Sequence, residues 1–256
     1  MIRLKTGAEI ERIGRAGQIV ADTLAHIAEL AEPGTSTGAL DRQAEAFIRS
    51  HDGAVPSFKG LYDFPGTLCT SVNNEVVHGI PSDDRGLKEG DLLSVDVGVR
   101  LDGLFADAAI TVPIGPQPSE VERLLDATRR GLEAGIQAAR VGATIGDVGA
   151  AIQRVVEAEG FSIVRELVGH GVGHLPHEDP QVPNYGRSGS GPTLHEGLVI
   201  AIEPMVNLGS REVRTLDDGW TVVTADGSLS AHFEHTVAVM AEGPRVLTGS
   251  RPRVTI

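Results

Sequence analysis

Four carboxylates of this chain stand in or beside apolar stretches that are typical of buried β-strands. The four are Asp96, Asp107, Glu203 and Glu234. Asp96 is flanked by two valines, and Glu203 directly follows the apolar run 198–202. A carboxylate in an apolar strand is costly unless it is paired or coordinates a cation. Four such acids therefore predict a metal site more readily than a set of structural ion pairs.

Two of these acids occupy the same place in a motif that occurs twice. Residues 87–90 and 194–197 both read Leu-x-Glu-Gly, and the same spacing leads from them to Asp96 and Glu203. The two copies are 107 residues apart, which is too long for the unit of a solenoid. The sequence therefore predicts an internal duplication, with a pseudo-two-fold axis and a metal site between the two halves.

The first pair of acids is predicted to lie on one β-hairpin. Two strands and a turn are expected within residues 92–112. A two-residue loop at 101–102 would place Asp96 directly opposite Asp107, and a loop at 102–103 would make them diagonal neighbours. Both registers leave the two carboxylates on one face of the hairpin. Like charges at that distance repel unless a cation lies between them.

Histidines supply the candidate nitrogen ligand and further catalytic groups. His170 lies in the glycine-rich run 168–173, where glycines let the backbone and a ligand approach closely. His174 follows four positions later, but the run is a poor helix and the chain has no His-Glu-x-x-His motif. His177 and His78 stand in other short segments that contain proline. Each of these histidines alone is weak evidence for a metal ligand. The four candidate ligand acids elsewhere in the chain make such a role more plausible.

The ligand types indicate the metal and the reaction. Four carboxylates and one imidazole suit Mn²⁺, Fe²⁺, Co²⁺ or Zn²⁺ better than Cu(I). Four negative charges balance two divalent ions, and paired ions about 3.5–4 Å apart activate water for hydrolysis. We therefore expect two divalent metal ions as cofactors and a hydrolytic reaction.

Composition limits the class of protein. The chain has 256 residues, 41% of them hydrophobic, and a formal net charge of −13. The acidic balance argues against nucleic-acid or acidic-membrane binding, which requires basic patches. A single cysteine, Cys69, excludes an intrachain disulfide framework, and neither a signal peptide nor a membrane span is recognisable. We expect a soluble cytoplasmic protein that acts as a monomer.

The order of elements repeats in the same way as the motif. Apolar spacing and glycine or proline breaks predict four helices, at about 7–31, 38–50, 118–139 and 146–158. Each pair of helices is followed by strands. The fold class is therefore α/β in the α+β sense, an antiparallel-rich sheet flanked by helices. We expect one catalytic domain over 1–256, with halves at about 7–115 and 116–245.

The acids and histidines resemble those of the type I methionine aminopeptidases, in the short bacterial form. The similarity covers about residues 2–240 and is carried by the strings 74–81, 169–173, 202–205 and 228–236. It implies the pita-bread fold and a five-ligand dinuclear metal centre. The implied ligands are Asp96, Asp107, His170, Glu203 and Glu234.

The resemblance also implies a role for each ligand and for the groups around them. Asp107 and Glu234 would bridge both metals, Asp96 would complete one, and His170 with Glu203 would complete the other. Glu203 would also act as proton shuttle for the attacking water. The remaining implied site residues are His177 for the developing oxyanion, His78 for the nitrogen of the scissile peptide, and Phe64, Cys69 and Trp220 for the methionine pocket.

Two positions near the pocket depart from the family pattern. Leu61 stands where a tyrosine commonly follows the glycine, and Tyr62 comes next. Pro176 replaces the aromatic residue that commonly precedes the second active-site histidine. Both changes bear on substrate specificity and turnover rate.

The function that follows is removal of the N-terminal initiator methionine from nascent proteins and peptides when the second residue is small. Nascent chains are then the partners, and the ribosome is a further candidate without independent support from composition. Two alternatives remain open. One is a prolidase or X-Pro aminopeptidase of the same fold, which usually carries an extra N-terminal domain; the other is a non-catalytic binding module, which typically loses ligands.

Overall fold

A computed structural model describes residues 2–249 of the chain, so Met1 and residues 250–256 of the predicted domain lie outside the described part. Four helices occur within 2–249, at α1 (Gly7–Leu30), α2 (Thr37–Arg49), α3 (Ser119–Ala138) and α4 (Ile145–Ala158). All four match the predicted helices to within about one residue at each end. A short 3₁₀ turn covers Leu61–Asp63.

Local capping explains where two of the helices begin. Thr6 precedes α1 and forms a capping box with Glu9, in which each side chain bonds the other residue's backbone N–H. Thr144 and Asp147 form the same box at the start of α4. The buried side chains of α1 recur at helical spacing, so one face of the helix packs on the sheet.

The strands are short except for two. In chain order they are β1 (Val55–Pro56), β2 (Leu68–Val72), β3 (Glu75–Val77), β4 (Leu92–Leu101), β5 (Leu104–Pro113), β6 (Ser162–Ile163), β7 (Gly169–Gly171), β8 (Glu178–Val182), β9 (Val199–Ile202), β10 (Met205–Asn207), β11 (Val213–Thr215), β12 (Val222–Thr224), β13 (Ser230–His232), β14 (His235–Met240) and β15 (Gly243–Val246). All of the pairings between these strands are antiparallel, as the sequence predicts.

The predicted ligands lie in, or directly beside, strands of two sheets. In the first, β4 pairs with β5 along one edge and with β1 and β2 along the other. In the second, the strand order is β15-β14-β9-β7-β8. β9 is therefore an interior strand, as expected from its wholly apolar sequence. Two three-stranded sheets, β13-β10-β6 and β11-β12-β3, complete the described architecture.

The β4–β5 hairpin has the second of the two predicted registers. Leu101 pairs with Leu104, so the loop is Asp102-Gly103, and both loop residues have positive φ angles of 51° and 78°. This conformation is typical of the type I′ turn, which suits glycine at its second central position. Because the turn needs only these two residues, β4 continues to Leu101, two residues into the turn predicted at 100–103.

The two halves show the predicted duplication and are joined at the middle. Single β-bridges, Ser36 with Gly86 and Thr144 with Thr193, occur at equivalent places in the two halves. Between the halves, the backbone N–H of Asp107 donates to Oγ1 of Thr236, and that hydroxyl donates back to the Asp107 carbonyl. The strands β5 and β14 are thereby held side by side at the centre of the molecule.

Two large hydrophobic clusters stabilise the halves, and each draws residues from both. The first packs α1 and α2 on β4 and β5, and also includes Val172 and Val199. The second packs α3 and α4 on β9 and β14, and also includes Leu92. Within residues 2–249, the structure holds no helix both long enough and apolar enough to cross a membrane.

Candidate metal centre

All ten residues singled out from the sequence line a common cavity of about 290 Å³. They are Phe64, Cys69, His78, Asp96, Asp107, His170, His177, Glu203, Trp220 and Glu234. The hairpin supplies Asp96 and Asp107 from the first half of the chain. The second half supplies the other three predicted ligands, from β7 and from the segments that flank β9 and β14.

Register explains why the two aspartates face the same space. Asp96 of β4 lies opposite Ala109, and Asp107 of β5 lies opposite Gly98, which makes the aspartates diagonal neighbours. A side chain at Gly98 would collide with Ser57 and the ring of Phe58. The small residues opposite the two acids leave room for their carboxylates.

Three of the predicted ligands converge most closely. Asp107, His170 and Glu234 each offer one ligand atom, and these atoms lie within 4.8 Å of one another. Nε2 of His170 is 3.6 Å from Oδ2 of Asp107 and 3.5 Å from Oε1 of Glu203. The imidazole nitrogen therefore faces carboxylates supplied by both halves of the chain.

A hydrogen bond orients His170 and sets its tautomer. Its Nδ1 is 2.9 Å from the carbonyl oxygen of Gly171, which can only accept. Nδ1 therefore carries the proton and donates, which leaves the lone pair of a neutral ring on Nε2, facing the acids. Metal-binding histidines are commonly oriented by such a bond.

The glycines on either side of His170 have a steric cause. A Cβ at Gly169 would collide with the carbonyl oxygen of Ala201, and one at Gly171 with that of Asp179. Because β7 lies between β8 and β9, neither neighbour can withdraw easily. The glycine-rich run therefore allows an interior strand to bring an imidazole close to the acids.

The carboxylates are electrostatically strained without a cation. Burial raises the pKa of Asp96, Asp107, Glu203 and Glu234 above the ordinary range of each. Repulsion from neighbouring carboxylates adds to the increase for Asp96, Glu203 and Glu234. Oδ1 of Asp96 is fully buried and has no hydrogen-bond partner among residues 2–249.

These features fit a divalent cation. Oxygen ligands with one imidazole are the donor set expected for a borderline-hard ion. A cation among the acids would turn mutual repulsion into attraction and supply the missing partner of Asp96. Asp107 is held in place by Thr236, whose hydroxyl lies 3.0 Å from its Oδ1.

An apolar pocket adjoins the acids. Phe58, Phe64 and Cys69 form a buried cluster with the partly buried Trp220 and Ile80 packed against it. The rings of Phe64 and Trp220 meet edge to face, with centroids 5.1 Å apart. Burial, followed by repulsion from nearby acids, raises the pKa of the Cys69 thiol well above its ordinary value. Cys69 therefore lines the pocket as a small apolar group.

Two further histidines, His78 and His177, line the same cavity. The ring of His177 meets that of His170 edge to face, at a centroid distance of 4.5 Å, and His78 stands 6.3 Å from Trp220. His177 is nevertheless an exposed residue. Even so, desolvation of the ring, followed by repulsion from His170 and His78, lowers the pKa of His177 to about 4. Burial also lowers the pKa of His78.

The structure places three further residues that the sequence analysis discussed, one of them outside the cavity and two along its lining. His174 turns away from the cavity, with Nε2 3.1 Å from Oε1 of Glu9. The exposed ring of Tyr62 stacks with His177 at 6.4 Å, so this departure from the family pattern lies at the cavity mouth. Leu61 also lines the cavity.

Sequence reasoning missed other residues of the cavity and its surroundings. Met205 and Leu167 line the cavity. His232 is buried, with Nε2 3.9 Å from Oε2 of Glu203. Met205 and His232 stand within the family-like strings and could have been found there. Leu167 has no comparable signal.

The fold and the site together define a metallopeptidase. The family model described as "Metallopeptidase family M24" matches residues 11–241, and the chain belongs to this family. A methionine aminopeptidase of Clostridium perfringens is 54% identical over 248 residues, which cover 97% of this chain and 99% of the relative. A methionine aminopeptidase of Bacillus subtilis is 50% identical with the same coverage.

Solved structures agree with this assignment. The crystal structure of a methionine aminopeptidase from Thermotoga maritima matches with a TM-score of 0.96 and 43% identity, over 98% of this chain and 100% of that one. The pita-bread fold implied by the resemblance is thereby confirmed.

Proposed function

We propose that this protein is a methionine aminopeptidase that removes the N-terminal methionine of nascent proteins and peptides. The observation that carries the proposal is the meeting of Asp107, His170 and Glu234 beside an apolar pocket. Full-length similarity to methionine aminopeptidases supports the same conclusion. The preference for a small second residue comes from the family resemblance.

The five predicted ligands would hold two divalent ions. Asp107 and Glu234 are both fully buried among the other acids, which suits bridging ligands, with Asp96 on one ion and His170 and Glu203 on the other. When bound, such ions polarise a carbonyl and lower the pKa of water. The acidic set accepts Co, Mn, Fe or Zn, and the identity of the metal stays a prediction.

The pocket would bind the methionine side chain. Phe64 and Trp220 offer aromatic surfaces, and Cys69 offers a polarisable sulfur, which suit a flexible thioether. Because the acids lie at one side of this pocket, a bound methionine would present its own carbonyl group to the metal centre. This arrangement favours cleavage after the first residue.

Three protein groups would handle protons and developing charge. Glu203 would accept a proton from the attacking water and deliver it to the leaving amine. His177, neutral at physiological pH, would donate a hydrogen bond to the carbonyl oxygen as negative charge develops there. His78 would contact the nitrogen of the scissile peptide.

Peptide hydrolysis tests the activity. Metal-depleted protein is incubated with Met-Ala-Ser and then supplied with Co²⁺ or Mn²⁺. We expect release of methionine only after metal addition. Absence of metal-dependent release with Co²⁺, Mn²⁺, Fe²⁺ and Zn²⁺ would refute the proposal.

Two comparisons distinguish the alternatives. A prolidase or X-Pro aminopeptidase would prefer an X-Pro peptide to Met-Ala-Ser, whereas we expect the opposite preference. A non-catalytic module would bind no metal at neutral pH, and elemental analysis would detect that. The same measurement tests our expectation of two ions per chain.

The ligand set also bears on the organisation of the chain. Because the two halves, about 7–115 and 116–245, each contribute ligands, we infer that they act as one catalytic domain. Monomeric state and ribosome association remain predictions. Analytical ultracentrifugation and cosedimentation with ribosomes would test them.

A further inference from the structure

A buried ion pair joins the start of the chain to the loop that carries His177. Nζ of Lys5 lies 2.6 Å from Oε2 of Glu178, and the two side chains are only 0% and 6% exposed. Lys5 also donates to the carbonyl of Arg3 at 2.9 Å. Glu178 directly follows His177, so this contact lies next to the candidate catalytic imidazole.

The carboxylate of Glu178 also organises its own loop. Its Oε1 accepts hydrogen bonds from the backbone N–H of His174, at 2.6 Å, and of Leu175, at 2.9 Å. One carboxylate therefore closes the loop 174–178 on itself and fastens it to Lys5. Burial alone would raise the pKa of Glu178, but Lys5 and the two N–H donors outweigh it, and the pKa lies below its ordinary value.

The segment that presents Lys5 is itself fixed in place. The backbone N–H of Lys5 donates to the carbonyl of Gly197 at 2.7 Å, and Thr6 caps α1. Glu9, the partner of Thr6 in that cap, also contacts His174. On the other side of the loop, Phe105 of β5 donates to the carbonyl of Gly173. The loop is thus held between the start of α1 and the strand that carries Asp107.

We propose that Lys5 is a positioning residue, which acts through Glu178 to hold the His177 imidazole beside the candidate metal centre. The inference rests on the proposed role of His177. A buried ion pair is weak evidence for stability, because desolvation of both charges offsets their attraction. A fully buried lysine near the active site is therefore better explained by the geometry it imposes. Displacement of a catalytic group by about 1 Å can reduce turnover about 100-fold.

Replacement of Lys5 tests the proposal. Lys5→Met keeps most of the side-chain length and removes the charge. We expect kcat for Met-Ala-Ser to fall about 10- to 100-fold, with KM and metal content close to those of the wild type. Arg15→Met is the matched control, because the Arg15–Asp102 pair is exposed and neither residue lines the cavity. The control should retain wild-type kcat.

A double-mutant cycle separates positioning from general destabilisation. If Lys5 acts through His177, then Lys5→Met should cause little further loss in a His177→Ala background. Additive losses would overturn the inference, and so would wild-type kcat in Lys5→Met. Hydrogen exchange at the amides of His174 and Leu175 should become faster in Lys5→Met and stay unchanged in Arg15→Met.

A second variant covers the case in which Lys5→Met does not fold. In Lys5→Met/Glu178→Gln neither charge of the pair remains, and the side-chain oxygen of glutamine can still accept the two backbone N–H bonds. The same non-additivity with His177→Ala is expected, and additivity would again overturn the inference. Failure of the function itself is distinguishable, because the wild type would then release no methionine, or His177→Ala would leave kcat unchanged.

Discussion

His177 and His170 are neighbouring imidazoles with different surroundings. His170 is oriented by a carbonyl on Nδ1 and directs Nε2 at the acids. His177 touches His170 ring to ring and reaches the mouth of the cavity, where its pKa is lowered to about 4. The first ring is therefore suited to hold a cation, and the second to donate a hydrogen bond while neutral.

This difference predicts separate effects on metal binding and turnover. His177→Ala should reduce kcat by roughly 100- to 1000-fold, the usual cost of losing one oxyanion donor, with metal content unchanged. His195→Ala, at an exposed position, is the control and should keep full activity. Metal content by elemental analysis and initial rates with Met-Ala-Ser provide the test. Loss of metal from His177→Ala would contradict the assignment.

The lowered pKa of His235 should make the free energy of unfolding depend on pH. Burial lowers the pKa of His235 from 6.5 to about 4, and its Nδ1 lies 2.9 Å from Oγ1 of Thr248. Between these pH values the unfolded chain binds more protons than the folded chain. The free energy of unfolding therefore falls as the pH drops from 6.5 to 4, by at most about 3 kcal/mol from this residue.

The variant His235→Asn isolates this contribution. Asparagine can keep a polar contact with Thr248 and does not titrate in this range. Urea unfolding with a chelator present, at pH 6.5 and pH 4.5, should show a smaller loss of stability in the variant than in the wild type. Equal losses would show that His235 titrates normally in the folded protein.

Among the single elements, β7 has little free space around its backbone. It lies between β8 and β9, and it brings His170 to the acids only because both adjacent positions are glycine. In the β4–β5 hairpin, too, local backbone geometry determines where the candidate ligands lie. Its two-residue turn sets the register that puts both aspartates on one face.

Gly171→Ala should therefore damage the centre without touching a ligand. The new methyl group would meet the carbonyl oxygen of Asp179, which costs about 1–3 kcal/mol of stability and displaces His170. We expect metal affinity to fall at least 10-fold by isothermal titration calorimetry. Gly86→Ala is the control, since its nearest contact would be an ordinary 3.9 Å from a carbonyl oxygen. Unchanged affinity in Gly171→Ala would contradict this account.

At the scale of the whole molecule, the candidate metal centre lies where two similar halves meet. Asp96 and Asp107 come from one half, and the other three predicted ligands from the other. The Asp107–Thr236 contacts connect the halves beside the centre. Four acids with raised pKa values oppose this association at neutral pH, and a divalent cation would reverse that effect.

Thermal unfolding should therefore respond to metal more strongly in the wild type than in Asp96→Asn. Mn²⁺ at 100 times its Kd should stabilise the wild type by about 2.7 kcal/mol per site and raise Tm by several degrees. Asp96→Asn should be about 1 kcal/mol more stable than the wild type without metal, because one buried charge is removed. It should gain much less from Mn²⁺. A metal-free Asp96→Asn protein less stable than the metal-free wild type would refute the electrostatic argument.

The helices, the hairpin and the four acids that line the cavity were predictable from the sequence because their signals are local. Glycine and proline breaks bounded the helices, and valines around Asp96 marked a buried acid. The duplication was also visible, since the two copies keep constant spacing. Even the two candidate hairpin registers followed from short-range rules, although both remained open.

The acids and imidazoles, their order and the kind of element that holds each follow from the amino-acid sequence, because these are local properties of the chain. Which of these side chains come into contact depends on the tertiary fold. The contact of Asp107 with Thr236 and the burial of Lys5 against Glu178 both depend on long-range packing. Lys5 and Glu178 are 173 positions apart in the chain, so no local sequence pattern predicts their contact.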